Sequence, residues 1–302
     1  MSPASINPAP TDSGPSPLQA AQGGFLDLFP ADAALTRLAS GFTWTEGPTW
    51  IPARGCVVFS DVRQNRTWRW SAARGLQEEM NPSHHQNGHC LDAEGRLVAC
   101  SHGERAVLRQ ETDGRWTTLA REWQGKRLNS PNDVALSPDG SLWFSDPTYG
   151  IDKPEEGYGG EMEQAGRYVF RIAPDGTLSC PITDRHKPNG LAFRSATELL
   201  LADTGDGATY LYRIDGERAE YVRELFRLDK GKTDGLRVDA EGRIWSSGGD
   251  GVHVLTADGE ELGRILVPET VANLCFGGPD GTDLFMTAST GFYHIPTRVK
   301  GW

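Results

Sequence analysis

Six times along the chain, a small polar or acidic residue opens an apolar stretch that runs through a Gly-containing turn into a second apolar stretch. The repeats start at Glu46 (EGPTWIPARGCVVFSDV), Asn87 (NGHCLDAEGRLVACSH), Asn132 (NDVALSPDGSLWFSDP), Asn189 (NGLAFRSATELLLADT), Asp234 (DGLRVDAEGRIWSSGG) and, more loosely, Asn273 (NLCFGGPDGTDLFMTAS). Each reads as two antiparallel strands joined by a tight turn. The starting residues lie 41, 45, 57, 45 and 39 positions apart, and a period of about 40 to 50 residues predicts β-propeller blades. The expected fold is all-β: a six-bladed β-propeller of four-stranded antiparallel blades. In the fifth, GLRVD, RIWSS, VHVLT and GRILV supply the strands. The last blade is one strand short, while LTRLAS at residues 35–40 has no blade of its own. This N-terminal strand is predicted to close the last blade, removing an exposed edge.

If the first strand of each blade lines the channel, the six starting residues face one another around one axis. Buried amides and carboxylates need compensation, and a hard cation supplies it. Glu46 and Asp234 bring two negative charges, Asn132 and Asn189 bring neutral oxygens, and no His or Cys belongs to the six. An all-oxygen set suits Ca²⁺ better than Zn²⁺, with Mg²⁺, Mn²⁺ and Zn²⁺ left open. Candidate substrate contacts are the remaining ring residues Asn87 and Asn273, the nearby His89 and His102, and Tyr149, whose aromatic face could stack on a ligand. Asp61, Asp146, Asp203 and Asp250 cluster near second-strand ends and are candidates to support the ring from behind. The longest gap comes from an insertion, residues 147–166, after the second strand of blade three. It leaves the sheet on the face where the inner strands begin, so it is expected to cover the ring as a lid or as a fixed flap.

Composition narrows the function. The repeat runs to the C-terminus of a 302-residue chain, which predicts one propeller domain over residues 25–302. Residues 1–24, rich in Pro, Ser, Ala and Gly, read as a flexible tail. With 30 basic against 41 acidic residues the net charge is −11, so an electropositive nucleic-acid groove is not expected. Nothing approaches the roughly 20 apolar residues of a membrane span, and no basic start followed by an apolar block marks a secretory signal; the expectation is a soluble cytoplasmic protein. The five cysteines form no CxxC pair and are expected to be buried free thiols. There is no GxSxG elbow and no phosphate-cradling Gly-rich loop.

The segments EGPTW, LNSPNDVALSPDGSLWFSDPTYG, KPNGLAF and TDGLRVDAEGRIW resemble the signature segments of the gluconolactonase, senescence marker protein and luciferin-regenerating enzyme family, and within it the microbial gluconolactonases. The resemblance spans nearly all blades. It implies a propeller with one divalent metal, usually calcium, held by Glu46, Asn132, Asn189 and Asp234, and hydrolysis of a small-molecule sugar lactone such as glucono-1,5-lactone to the aldonic acid. It points to Asp234 as the base, with Glu46 as the alternative. Animal members carry a substrate-contacting Arg two positions before the blade-three Asn, where this chain has Ser130, so that contact does not carry over. Two other readings stand beside the lactonase: a phosphotriesterase-like hydrolase using the same metal, and a non-catalytic interaction platform.

Overall fold

The computed structural model describes residues 16–302. Six antiparallel four-stranded units follow one another around the ring. Their inner strands are Thr45–Ile51, Gln86–Leu91, Val134–Leu136, Pro188–Ser195, Leu236–Val238 and Val271–Gly277. Second strands, such as Cys56–Asp61 in blade one and Glu198–Asp203 in blade four, are buried along their length or nearly so. They are apolar on both faces because each blade is sandwiched between two others, unlike the alternating pattern of a sheet with one wet face. Among the described residues no helix is long and apolar enough to cross a membrane.

The ring closes as the missing strand predicts. Thr36–Ser40 pairs antiparallel with Gly291–Pro296, placing Thr36 opposite His294 and Ser40 opposite Gly291. Packing across the closure joins blade one to blade six: Phe59 and Phe292, both fully buried, stack with centroids 4.4 Å apart. Phe59→Ala is expected to destabilise the protein by about 3–5 kcal/mol through lost apolar contact and the cavity left behind, measured by denaturant unfolding.

Part of the segment expected as a tail over residues 1–24 is ordered. Leu18–Ala20 forms a fifth strand on the outer edge of blade five, with Leu18 opposite Ile265 and Ala20 opposite Gly263. The reason is local: the edge strand Glu261–Leu266 offers unpaired backbone, and Phe25 and Phe29, almost wholly buried, anchor the following turn against Trp245 and its neighbours. Residues 1–15, which the same expectation covers, lie outside the described residues. All five cysteines are free.

Candidate active site

Each ring residue sits where the inner strands of adjacent blades pinch together. Gly88 N–H donates to the Asn132 carbonyl at 2.8 Å, and Gly190 N–H to the Asp234 carbonyl at 2.9 Å. A Cβ at Gly190 would lie 2.1 Å from that carbonyl oxygen, so only glycine allows this approach. The recurring Asn-Gly and Asp-Gly pairs are thus the mark of inter-blade contact as well as of a turn. Behind the pinch, Asp61 accepts from the Thr43 and Trp44 amides, Asp146 from Asn129, and Asp203 from His186 and Lys187. Three second-strand aspartates therefore hold the segments that deliver Glu46, Asn132 and Asn189. Asp250 does not do so; it bonds His253 and Arg264.

One half of the ring is a chain of amides. Asn87 Nδ2 donates to Asn132 Oδ1 at 3.1 Å, Asn132 Nδ2 to Asn189 Oδ1 at 2.6 Å, and Asn189 Nδ2 to the Tyr149 hydroxyl at 3.2 Å. Tyr149 also meets Thr204 Oγ1. His102 closes the side: its Nδ1 lies 3.0 Å from the Glu156 carbonyl and its Nε2 3.2 Å from Asn87 Nδ2. Burial pushes the His102 imidazole down to about 4, so the ring is neutral, Nδ1–H donates to the carbonyl and Nε2 is left as an acceptor facing the amides.

The other half is acidic. Glu46 is 3% exposed, and one carboxylate oxygen accepts from Gly47 N–H at 3.0 Å. Asn273, also buried, lies beside it. Asp234 is half-buried. Burial, then the charges of Asp234 and Asp133, push the Glu46 carboxyl well above its usual range. Burial and the Asp133 charge push Asp234 up as well. Neither Glu46 nor Asp234 has an ion-pair partner among the described residues. Carboxylates crowded together and lacking a counter-ion, opposite a row of amide oxygens, have the donor chemistry of a hard divalent cation site. A second group of potential ligands, Asp229, His253 and Glu261, is already satisfied: the Arg264 guanidinium bonds Asp229 and Glu261 at 2.8 and 2.6 Å.

The SMP-30/Gluconolactonase/LRE-like region is matched over residues 44–290. The chain belongs to this family. A gluconolactonase of Zymomonas mobilis is 30% identical over 292 residues, covering 87% of this chain and 81% of that one. An X-ray structure assigned as a gluconolactonase is 65% identical, covers 94% of this chain and 99% of the other, and superposes with a TM-score of 0.92. A gluconolactonase structure from Xanthomonas campestris, 34% identical and covering 98% and 99%, gives 0.90.

Within this gluconolactonase-family fold the insertion after the second strand of blade three, two single-turn helices at Tyr149–Asp152 and Pro154–Gly157, docks on the ring's rim. Arg63 Nη2 and Lys153 Nζ bond the buried Glu156 carboxylate at 2.8 and 3.1 Å, and Tyr158 bonds Asn65 at 3.0 Å. Ser130 anchors it too: its hydroxyl donates to the Pro147 carbonyl at 2.8 Å and accepts from Gly150 N–H at 3.0 Å. A Cβ on Gly150 would meet the His102 and Ser130 side chains. The insertion therefore fills the space next to position 130, and a small hydroxyl there serves the insertion.

The structure gathers Glu46, Asn87, Asn132, Asn189, Asp234, Asn273, His102 and Tyr149 around the ring, and separates His89 from them. His89 is fully buried, with Nδ1 2.8 Å from the Gly47 carbonyl and Nε2 3.4 Å from Gln86 Oε1. Burial lowers it to about 4. With Nδ1–H donating to the Gly47 carbonyl it is a strut between blades one and two. Its face lines a cavity at the opposite mouth of the channel, so the expectation of a substrate contact is corrected. Asp133, Glu156 and Thr204 were not foreseen. Asp133 had a signal: it stands where Gly47, Gly88, Gly190 and Gly235 follow the ring residue in other blades.

Proposed function

We propose that this protein hydrolyses a sugar lactone such as glucono-1,5-lactone to the aldonic acid, with one divalent cation, Ca²⁺, held by Glu46, Asn132, Asn189 and Asp234. The observation that carries this reading is the pair of uncompensated carboxylates, Glu46 buried and Asp234 half-buried, facing the amide row. The gluconolactonases of Zymomonas and Xanthomonas support the substrate class. Five unpaired cysteines suit the reducing cytoplasm, where we place the protein.

When bound, the cation supplies Lewis-acid polarisation of the lactone carbonyl and charge to offset the developing oxyanion. The chain's own residues do the rest. Asp234, the ring carboxylate with solvent access, accepts a proton from the attacking water as its oxygen bonds to the carbonyl carbon. The C–O bond to the ring oxygen then breaks, and the same proton passes to that oxygen, giving the hydroxyl of the open-chain acid. Glu46, pinned by Gly47 N–H, is the fixed ligand. Burial, with the nearby Asp234 charge, raises the Tyr149 phenol, which stays protonated; it and His102 hold the ends of the amide row in place. The test is direct. Chelation is expected to abolish glucono-1,5-lactone hydrolysis and lower Tm, with Ca²⁺ restoring both; full activity in excess chelator would sink the cation assignment.

A further inference from the structure

Below the ring the channel holds a third carboxylate and a guanidinium. Asp133 is 1% exposed. Its Oδ1 accepts from Val134 N–H at 3.0 Å, whereas Oδ2 is buried with no hydrogen-bond partner and faces Arg237 Nη1 at 4.0 Å. Arg237 comes three residues after Asp234 and donates from Nη1 to the Leu236 carbonyl at 2.7 Å. Its other side borders the cavity of about 670 Å³ at the far mouth, among Trp50, Leu136, Phe193 and Phe276. The guanidinium, with its side chain 21% exposed, is wetted from below while its charge acts upward on Asp133.

An acidic residue at position 133 is unexpected on packing grounds. Four other blades place glycine there, and an ionised carboxylate with an unbonded oxygen is costly to bury. The position does have an electrostatic reach: Asp133 directly follows the ring residue Asn132, its Oδ1 would lie 2.5 Å from a Cβ on Gly88, beside the ring residue Asn87, and Arg237 faces its other oxygen. With all groups ionised, three carboxylates against one guanidinium leave the channel at −2. That balances one divalent ion.

We infer that Asp133 and Arg237 form a charge-setting pair that fixes the preference of the ring for a divalent over a trivalent cation, each acting on the ring through its own charge. This rests on the cation site proposed above. Removing the guanidinium takes the channel to −3, which favours a trivalent ion more than a divalent one because the added attraction scales with the charge of the ion.

Tb³⁺ and Ca²⁺ binding to the full-length, chelator-stripped protein, measured by calorimetry, tests the pair without recourse to activity. Arg237→Met is expected to tighten Tb³⁺ by about tenfold or more and Ca²⁺ by a smaller factor, so their affinity ratio rises. Asp133→Asn is expected to lower the ratio, and Asp133→Asn combined with Arg237→Met to return it to near the wild-type value. Arg237→Lys, which keeps the charge, should leave it unchanged and so separates charge from packing. An unmoved ratio in folded Arg237→Met overturns the inference while leaving the cation site standing. Should Arg237→Met fail to fold, an unmoved ratio in Asp133→Asn overturns it equally. Wild-type protein that binds neither ion removes both the site and the inference.

Discussion

Asp234→Asn is expected to lower kcat by roughly 10²–10⁴-fold even at saturating Ca²⁺, the usual contribution of a positioned proton acceptor. The substitution keeps an oxygen of nearly the same size at the ring, so cation binding weakens while the base disappears. Asn189→Ala removes a neutral oxygen and cuts the amide chain between Asn132 and Tyr149. Its loss should be partly rescued by raising the Ca²⁺ concentration. Steady-state kinetics over a cation titration separates the two, because a lost ligand shifts the cation requirement and a lost base lowers the plateau. Turnover of Asp234→Asn near the wild-type plateau would transfer the base to Glu46.

The two ring carboxylates are expected to cost the metal-free protein stability as pH rises, a reversal of the usual carboxylate behaviour. Glu46 and Asp234 hold their protons more tightly folded than unfolded, because burial and mutual repulsion penalise ionisation. Their contribution is fully present below the unfolded values, about pH 4. It is lost as pH climbs from there through the raised folded values. Bound Ca²⁺ requires the ionised forms and cancels the loss. Asp146, raised to about 7 by burial, contributes with the same sign in both forms, so the difference between the two curves isolates the ring. Calorimetric Tm values from pH 5 to 8, with chelator and with Ca²⁺, should diverge increasingly toward high pH; parallel curves would contradict the charged-ring account.

The repeat, the six ring positions and the strand that closes the propeller were legible in the chain because each depends on local patterning. Apolar runs of strand length, turns at a fixed period and one unpaired strand at the N-terminus suffice to set the blade count. Polar residues recurring at one register then identify the channel lining, since equivalent points on equivalent blades must converge. The departures all lie between blades or between distant segments. His89 follows a ring residue by two positions, yet its imidazole is claimed by the Gly47 carbonyl of the preceding blade. Leu18–Ala20 looks too polar and too small to order itself, but the edge of blade five, more than 240 residues later, supplies its partner. Ser130 acquires its role from the insertion that abuts it. Asp133 and Arg237, about a hundred residues apart, meet only because blades three and five face across one channel. Periodicity along a chain records which face of a strand is buried. Which groups share that burial, and whether their charges are compensated, is decided by the closure of the ring.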